Sequence, residues 1–231
     1  NIKITREQAI KFVASLSKIV GAGFDFNKLD SVNTYRNKQG RVIIEAKIKT
    51  ADVDPNSKAG RILKAAGVNE ASIIYNADTN HTILRLNFMI EGEGKATVEK
   101  MKQILTEIGE QLGLKDKQLE SFVNNALKEF GIDEKMANIL KGSKVVVSVE
   151  YDENGEIKSA ELQIIAIDET KGLTPEQKKA IASAIVATMK VENVAKPHLE
   201  KMIASANQAQ ISLKINKDQS GAIQSGWQLN L

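Results

Sequence analysis

Between residues 144 and 167 the apolar and polar positions alternate with the period of a β-strand. Val145, Val147, Val149 and Tyr151 fall on one side and Val146, Ser148, Glu150 and Asp152 on the other, the pattern of a strand with one buried face. Asp152-Glu153-Asn154-Gly155 reads as the turn that follows. Asn-Gly offers two residues that tolerate positive φ, so a type I′ turn and a direct return strand over 157–167 are expected.

The pattern recurs three times. Residues 211–215 lead through Asp218-Gln219-Ser220-Gly221 to 223–231. Tyr35-Arg36-Asn37-Lys38-Gln39-Gly40 precedes 41–49, and Tyr75-Asn76-Ala77-Asp78-Thr79-Asn80 precedes 81–90. Tyr35, Tyr75, Tyr151 and Ile215 share the last strand position before the turn, and 155–160 aligns with 221–226 without a gap. Such recurrence marks either an internal helix-hairpin repeat or the common chemistry of hairpins.

The intervening segments carry helical spacing. Thr5 with Gln8 forms a capping box for a helix to about Val20, its face drawn from Ile10, Val13, Leu16, Ser17 and Val20 and its stop at Gly21-Ala22-Gly23. Phe24 and Phe26 then anchor the loop to the core. The apolar Val42, Ile43 and Ile44 suggest a strand covered on both faces. Asp54-Pro55 is expected to cap a short helix packed through Ala59, Ile62, Leu63 and Ala66 and closed by Gly67.

From Val98 to Leu140 three amphipathic helices follow one another, the second after an Asp116 cap and the third starting at Asp133, divided at Gly113 and Gly131 and ended at Gly142. Thr174-Pro175-Glu176-Gln177 opens another helix with Ile181, Ala184, Ile185 and Met189 inward. Pro197 opens a last segment carrying Leu199, Met202, Ile203 and Ala206.

The resulting fold class is α+β: four antiparallel β-hairpins in one large sheet, flat or curved, with amphipathic helices packed on one face. An N-terminal half, 1–94, and a C-terminal half, 95–231, or one continuous domain, both fit the length of 231 residues.

Composition narrows the chemistry. A hydrophobic fraction of 42% and a charged fraction of 26% suit a packed globular chain. With a net charge of +3, interspersed signs and 4% aromatic residues, the chain lacks both a basic stripe and stacking platforms, so nucleic acid is not an expected partner. The absence of cysteine removes disulfides and thiolate chemistry. No apolar run is long enough for a transmembrane segment. Asn1 in place of a starting Met, the Lys- and Asn-rich turns and the lack of thiols lead to the expectation of an exported, bacterial-type protein at the periplasm or cell surface, with a lipid anchor as one form. A cytoplasmic location stays open.

Candidate chemistry is thin. Gly92-Glu93-Gly94-Lys95-Ala96-Thr97 is a partial match to a phosphate loop, but Met89 and Ala96 stand where a glycine and a Ser or Thr are needed. A flexible connection is the expectation there. His81 and His198, the only histidines, read as surface residues, and two histidines cannot make a zinc site of three or four His or Cys ligands. No Gly-x-Ser-x-Gly elbow accompanies them. Asp78, Asp152 and Glu153 sit where turns favour acidic residues and lack the remaining ligands of a calcium loop. Trp227 alternates with Ile223, Leu229 and Leu231 and reads as core.

No residue pattern assigns catalytic, ligand-binding or metal residues, and no cofactor is implied. The reading is a non-enzymatic exported binding or structural protein whose partner is an apolar small molecule or another protein. One alternative is a carrier holding an apolar ligand between sheet and helices, against which Leu84, Leu105, Phe122 and Ile185 read as plain core. The other is a hydrolase whose carboxylates meet only in the fold.

Overall fold

The computed structural model describes residues 1–231. Eight strands form one antiparallel sheet in simple sequence order: β1 (Asp30–Arg36), β2 (Val42–Lys49), β3 (Glu70–Asn76), β4 (His81–Met89), β5 (Lys144–Tyr151), β6 (Ile157–Asp168), β7 (Gln208–Lys217) and β8 (Ile223–Asn230). The sheet stays open, with β1 and β8 at its two edges. Seven helices fill the connections: α1 (Arg6–Val20), α2 (Lys58–Ala66), α3 (Gly94–Gln111), α4 (Asp116–Phe130), α5 (Glu134–Ile139), α6 (Pro175–Thr188) and α7 (Lys196–Ser205).

The alternation read from the sequence decides which face is covered. Ile44, Tyr75, Leu84, Val147, Leu162 and Leu213 come from six strands, are each no more than 1% exposed, and join α1 to α7 in one core cluster. β4 pairs with β5 along eight residues even though three helices separate them in sequence, so one sheet joins strands from 1–94 to strands from 95–231.

Both expected capping boxes form, whereas Asp116, expected to cap α4, is instead its first residue at φ 54° and Lys115 precedes it with no side-chain cap. Thr5 accepts from the Gln8 amide while Gln8 Oε1 accepts from the Thr5 amide, and Thr174 and Gln177 do the same at α6. Asp133 caps α5 through the Met136 amide. Phe24 and Phe26 meet edge to face at 5.2 Å beneath the loop after α1.

Other details also differ from the sequence reading. The buried stripe of α1 is Phe12, Ser15, Leu16, Ile19 and Val20, while Ile10 and Val13 are 61% and 42% exposed. The stripe through the larger Phe12 and Ile19 removes more apolar area from water, so the helix is rotated toward it. α2 is capped by Ser57, whose Oγ accepts from the Gly60 amide; Asp54 instead closes a turn, accepting from the Asn56 amide. In α7 only Ile203 is buried, and Met202 is 51% exposed.

The third hairpin is not a type I′ turn. Asp152 C=O accepts from the Gly155 amide, Gly155 alone takes positive φ (75°), and the register shifts beside Tyr151. This is a type I turn closed by a left-handed glycine, in which the Asp152 carboxylate accepts from the Asn154 and Glu156 amides. The first and last hairpins repeat the device with Asn37 and Gly40, and with Asp218 and Gly221. The second closes on Asn80 at φ 60° instead.

A helical segment precedes every hairpin, but the numbers are unequal, with three helices before β5 and two before β7. Tyr35 also departs from its expected equivalents: it donates to Glu45 on the uncovered face, whereas Tyr75, Tyr151 and Ile215 lie in the core. The common features are those of hairpin chemistry, and the fold adds nothing that establishes an internal repeat.

Candidate functional site

Much of the uncovered face of the sheet is polar. The strand register aligns Lys47, Ser72, Arg85, Ser148, Glu161, Lys214 and Gly226 in a single row across seven strands. The adjacent row runs Asn33, Glu45, Ile74, Ile83, Glu150, Ser159, Asn216 and Gln224. Neighbouring side chains on one face of an antiparallel sheet stand within about 5.5 Å of each other at Cβ, close enough to pair.

They do pair. His81 Nδ1 lies 2.9 Å from Glu150 Oε2, Arg85 Nε donates to Ser148 Oγ at 3.1 Å, and Lys214 Nζ is 3.8 Å from Glu161. Farther along, Gln163 donates to Gln210 at 2.6 Å, and Ser212 is 1% exposed with a hydroxyl that has no partner.

A hollow of about 310 Å³ opens at the centre of this face. Ile83, Arg85, Ser148, Glu150, Ser159, Ala160, Glu161, Lys214 and Asn216 line it. Two cations and two carboxylates thus converge on one shallow basin with hydroxyl and amide groups between them. Both donors and acceptors face solvent, and no aromatic ring lines the basin. Tyr35 extends the polar layer toward β1, its hydroxyl pushed up in pKa by burial and by the bond to Glu45.

A second polar group lies on the helical side. Tyr151 donates to Gln111 at 2.7 Å, Gln111 donates to Lys58 C=O at 3.0 Å, and Lys58 Nζ reaches Gly155 C=O. This chain of bonds ties α2, α3 and the third turn together. Beside it Arg61 Nε stands 3.9 Å from Glu107 Oε2, and neither atom has a hydrogen-bond partner. Burial, and then the Glu110 carboxylate, push the Glu107 carboxyl up; the Arg61 guanidinium pulls the other way. Burial likewise pushes the Tyr151 hydroxyl up. These groups join the helices to the sheet and do not line the central hollow.

The residues singled out in the sequence separate accordingly. His81 is a surface residue, but one engaged by Glu150, a partner 69 positions away that only the strand register reveals. His198 is exposed on α7. Lys95 is exposed, and the backbone amide at the start of its helix is taken, since Gly94 N–H donates to Asn138 Oδ1 at 2.9 Å. Gly94 is itself buried, with no room for a Cβ beside Glu134 C=O, whereas Gly92 and Glu93 are exposed.

Asp152 serves its own turn, whereas Asp78 reaches across to accept from the Val42 amide at 2.8 Å. Glu153 is exposed. Trp227 faces the core side of the edge strand, partly buried, with an indole N–H that has no partner. Leu84, Leu105 and Ile185 are fully buried and Phe122 packs against the same cluster. No group of three His, Asp or Glu side chains is placed to hold a metal ion, and no helix is long and apolar enough to cross a membrane.

Arg85, Ser148, Glu161 and Lys214 carry no local signature, since each is the polar half of an ordinary alternating strand. No family model, curated protein or solved structure matches this chain.

Proposed function

We propose that this chain is a non-enzymatic, exported binding protein that receives a polar segment of another protein, carrying both signs of charge, on the uncovered face of its sheet. The observation that supports this reading is the central hollow, where Arg85, Lys214, Glu150 and Glu161 present charges of both signs on an antiparallel scaffold, Lys214 facing Glu161 and Glu150 facing His81. A ligand with complementary charges exchanges these weak, solvent-exposed pairs for its own without leaving a buried charge uncompensated. The thiol-free composition accords with work outside the cytoplasm.

The alternatives find less support. An apolar carrier would need the side chains between sheet and helices to part, yet Leu84, Leu105 and Ile185 are 0% exposed in one packed cluster. A hydrolase would need a free carboxylate pair over a cleft. Glu150 and Glu161 already face His81 and Lys214, and the perturbed Glu107 sits under Arg61 on the opposite side of the sheet.

An immobilised array of random peptides tests the reading. The wild-type chain is expected to retain peptides of mixed charge, and Arg85→Glu with Lys214→Glu to lose them while keeping the wild-type circular dichroism spectrum. Equal retention by the folded variant, or none by the wild type, would refute the assignment. Antibody access to the protein on intact, unpermeabilised source cells tests the export part.

A further inference from the structure

The two edges of the sheet are built differently. At the β1 edge the first residues of the chain lie alongside: Ile2 N–H donates to Thr34 C=O at 2.9 Å, Asn1 Oδ1 accepts from the Thr34 amide, and Thr34 Oγ1 donates to Ile2 C=O. That strand also carries a register shift, Ser31 at φ 53°, and the charged Asp30 and Arg36. Bulges, charges and covering segments are the devices that keep an edge from pairing.

β8 carries neither a bulge nor a charged side chain. Residues 223–231 hold no charged side chain and no proline, and β8 pairs only with β7. One row of its backbone donors and acceptors is therefore left for another strand.

From this asymmetry we infer that β8 pairs antiparallel with β8 of a second copy of this chain, making one continuous sheet across a twofold axis at Trp227. The sequence of the strand is complementary to itself in that register. Ile223 meets Leu231, Ser225 meets Leu229 and Trp227 meets its own equivalent on the side of the helices, while Gln224 meets Asn230 and Gly226 meets Gln228 on the outer side. Apolar residues face apolar or small ones and amides face amides, as a buried-face register demands.

No like charges oppose each other along the strand, so a copy of the chain is not repelled. Beside β8 lie charges of both signs, Lys128, Glu129 and Lys190. Glu129 is further fixed to the edge by Ser225, which donates to it at 2.5 Å. The joined Trp227 rings would cover the side of β8 that is now only partly buried.

Sedimentation of the full chain over a range of concentrations is the test. The wild type is expected to be a dimer in reversible equilibrium with monomer. Gly226→Lys combined with Gln228→Lys places lysines opposite lysines in the inferred register, and a Cβ at position 226 meets nothing within 4 Å, so the free fold accepts the change. Dimerisation is expected to weaken by about tenfold or more. Mixing that variant with Gly226→Glu and Gln228→Glu is expected to restore a mixed dimer. Val32→Lys, at the other edge, is expected to change nothing. A monomeric wild type, a dimer indifferent to the β8 lysines, or one broken by Val32→Lys would each overturn the inference.

Discussion

Thr82 occupies a core position of β4 directly between Tyr75 and Tyr151 on the neighbouring strands, 1% exposed, with a hydroxyl that finds no partner. The tyrosine hydroxyls beside it are bound elsewhere, Tyr75 to Asn80 at 2.6 Å and Tyr151 to Gln111. A buried hydroxyl with no partner costs about 1 kcal/mol or more, and a methyl group of the same shape removes that cost. Thr82→Val is therefore expected to raise stability by about 1 kcal/mol, read as a higher urea midpoint at unchanged slope. A lower midpoint would mean that the hydroxyl has an unseen partner. The alternation of His81, Thr82, Ile83 and Leu84 is visible in the sequence and places Thr82 inside. That it lies between two tyrosines engaged elsewhere depends on the register of three strands, which one strand's sequence does not contain.

The hairpin turns show how far local chemistry reaches. Asp152 and Gly155, Asn37 and Gly40, and Asp218 and Gly221 are recognisable as turns from residue type alone, because an acidic or amide side chain and a left-handed glycine serve the backbone directly. The subtype was not legible: Asn-Gly favours type I′ in an isolated hairpin, yet here the Asp152 carboxylate holds two amides in the type I arrangement. The surroundings also differ. A Cβ at Gly155 would stand 3.0 Å from Lys18 Cβ on α1, whereas one at Gly40 meets nothing within 4 Å. Gly40→Ala should cost about 1 kcal/mol for its positive φ alone, and Gly155→Ala about 1 kcal/mol more, because α1 must shift as well. Thermal melts of the two variants compare them directly, and equal costs would show that α1 yields freely.

At the scale of the whole molecule, the β4–β5 ladder and the single core join residues 1–94 to 95–231. Separating the halves would strip both the ladder hydrogen bonds and the apolar faces of α2 and α3, which pack on each other from opposite sides of that boundary. Unfolding followed by far-UV circular dichroism and by fluorescence of Trp227, the only tryptophan, is expected to give superimposable transitions. Two separated transitions would show that the halves unfold independently. The proposed binding face belongs to the same scale, since its central hollow draws side chains from β4, β5, β6 and β7 on both sides of the boundary.

Period-two and period-3.6 patterning, together with the caps at Thr5, Asp133 and Thr174 and the glycine stops at Gly67 and Gly131, was enough by itself to determine an α+β chain of hairpins and amphipathic helices. Each of those signals is a short-range property of the backbone, carried by residues within a turn or two of one another. Tertiary structure alone decided which stripe of α1 is buried, that the hairpins join in sequence order into an open sheet, and that Arg85, Ser148, Glu161 and Lys214 share a row. Those outcomes depend on contacts between residues tens of positions apart, where total buried area and strand register, rather than local preference, set the lowest free energy.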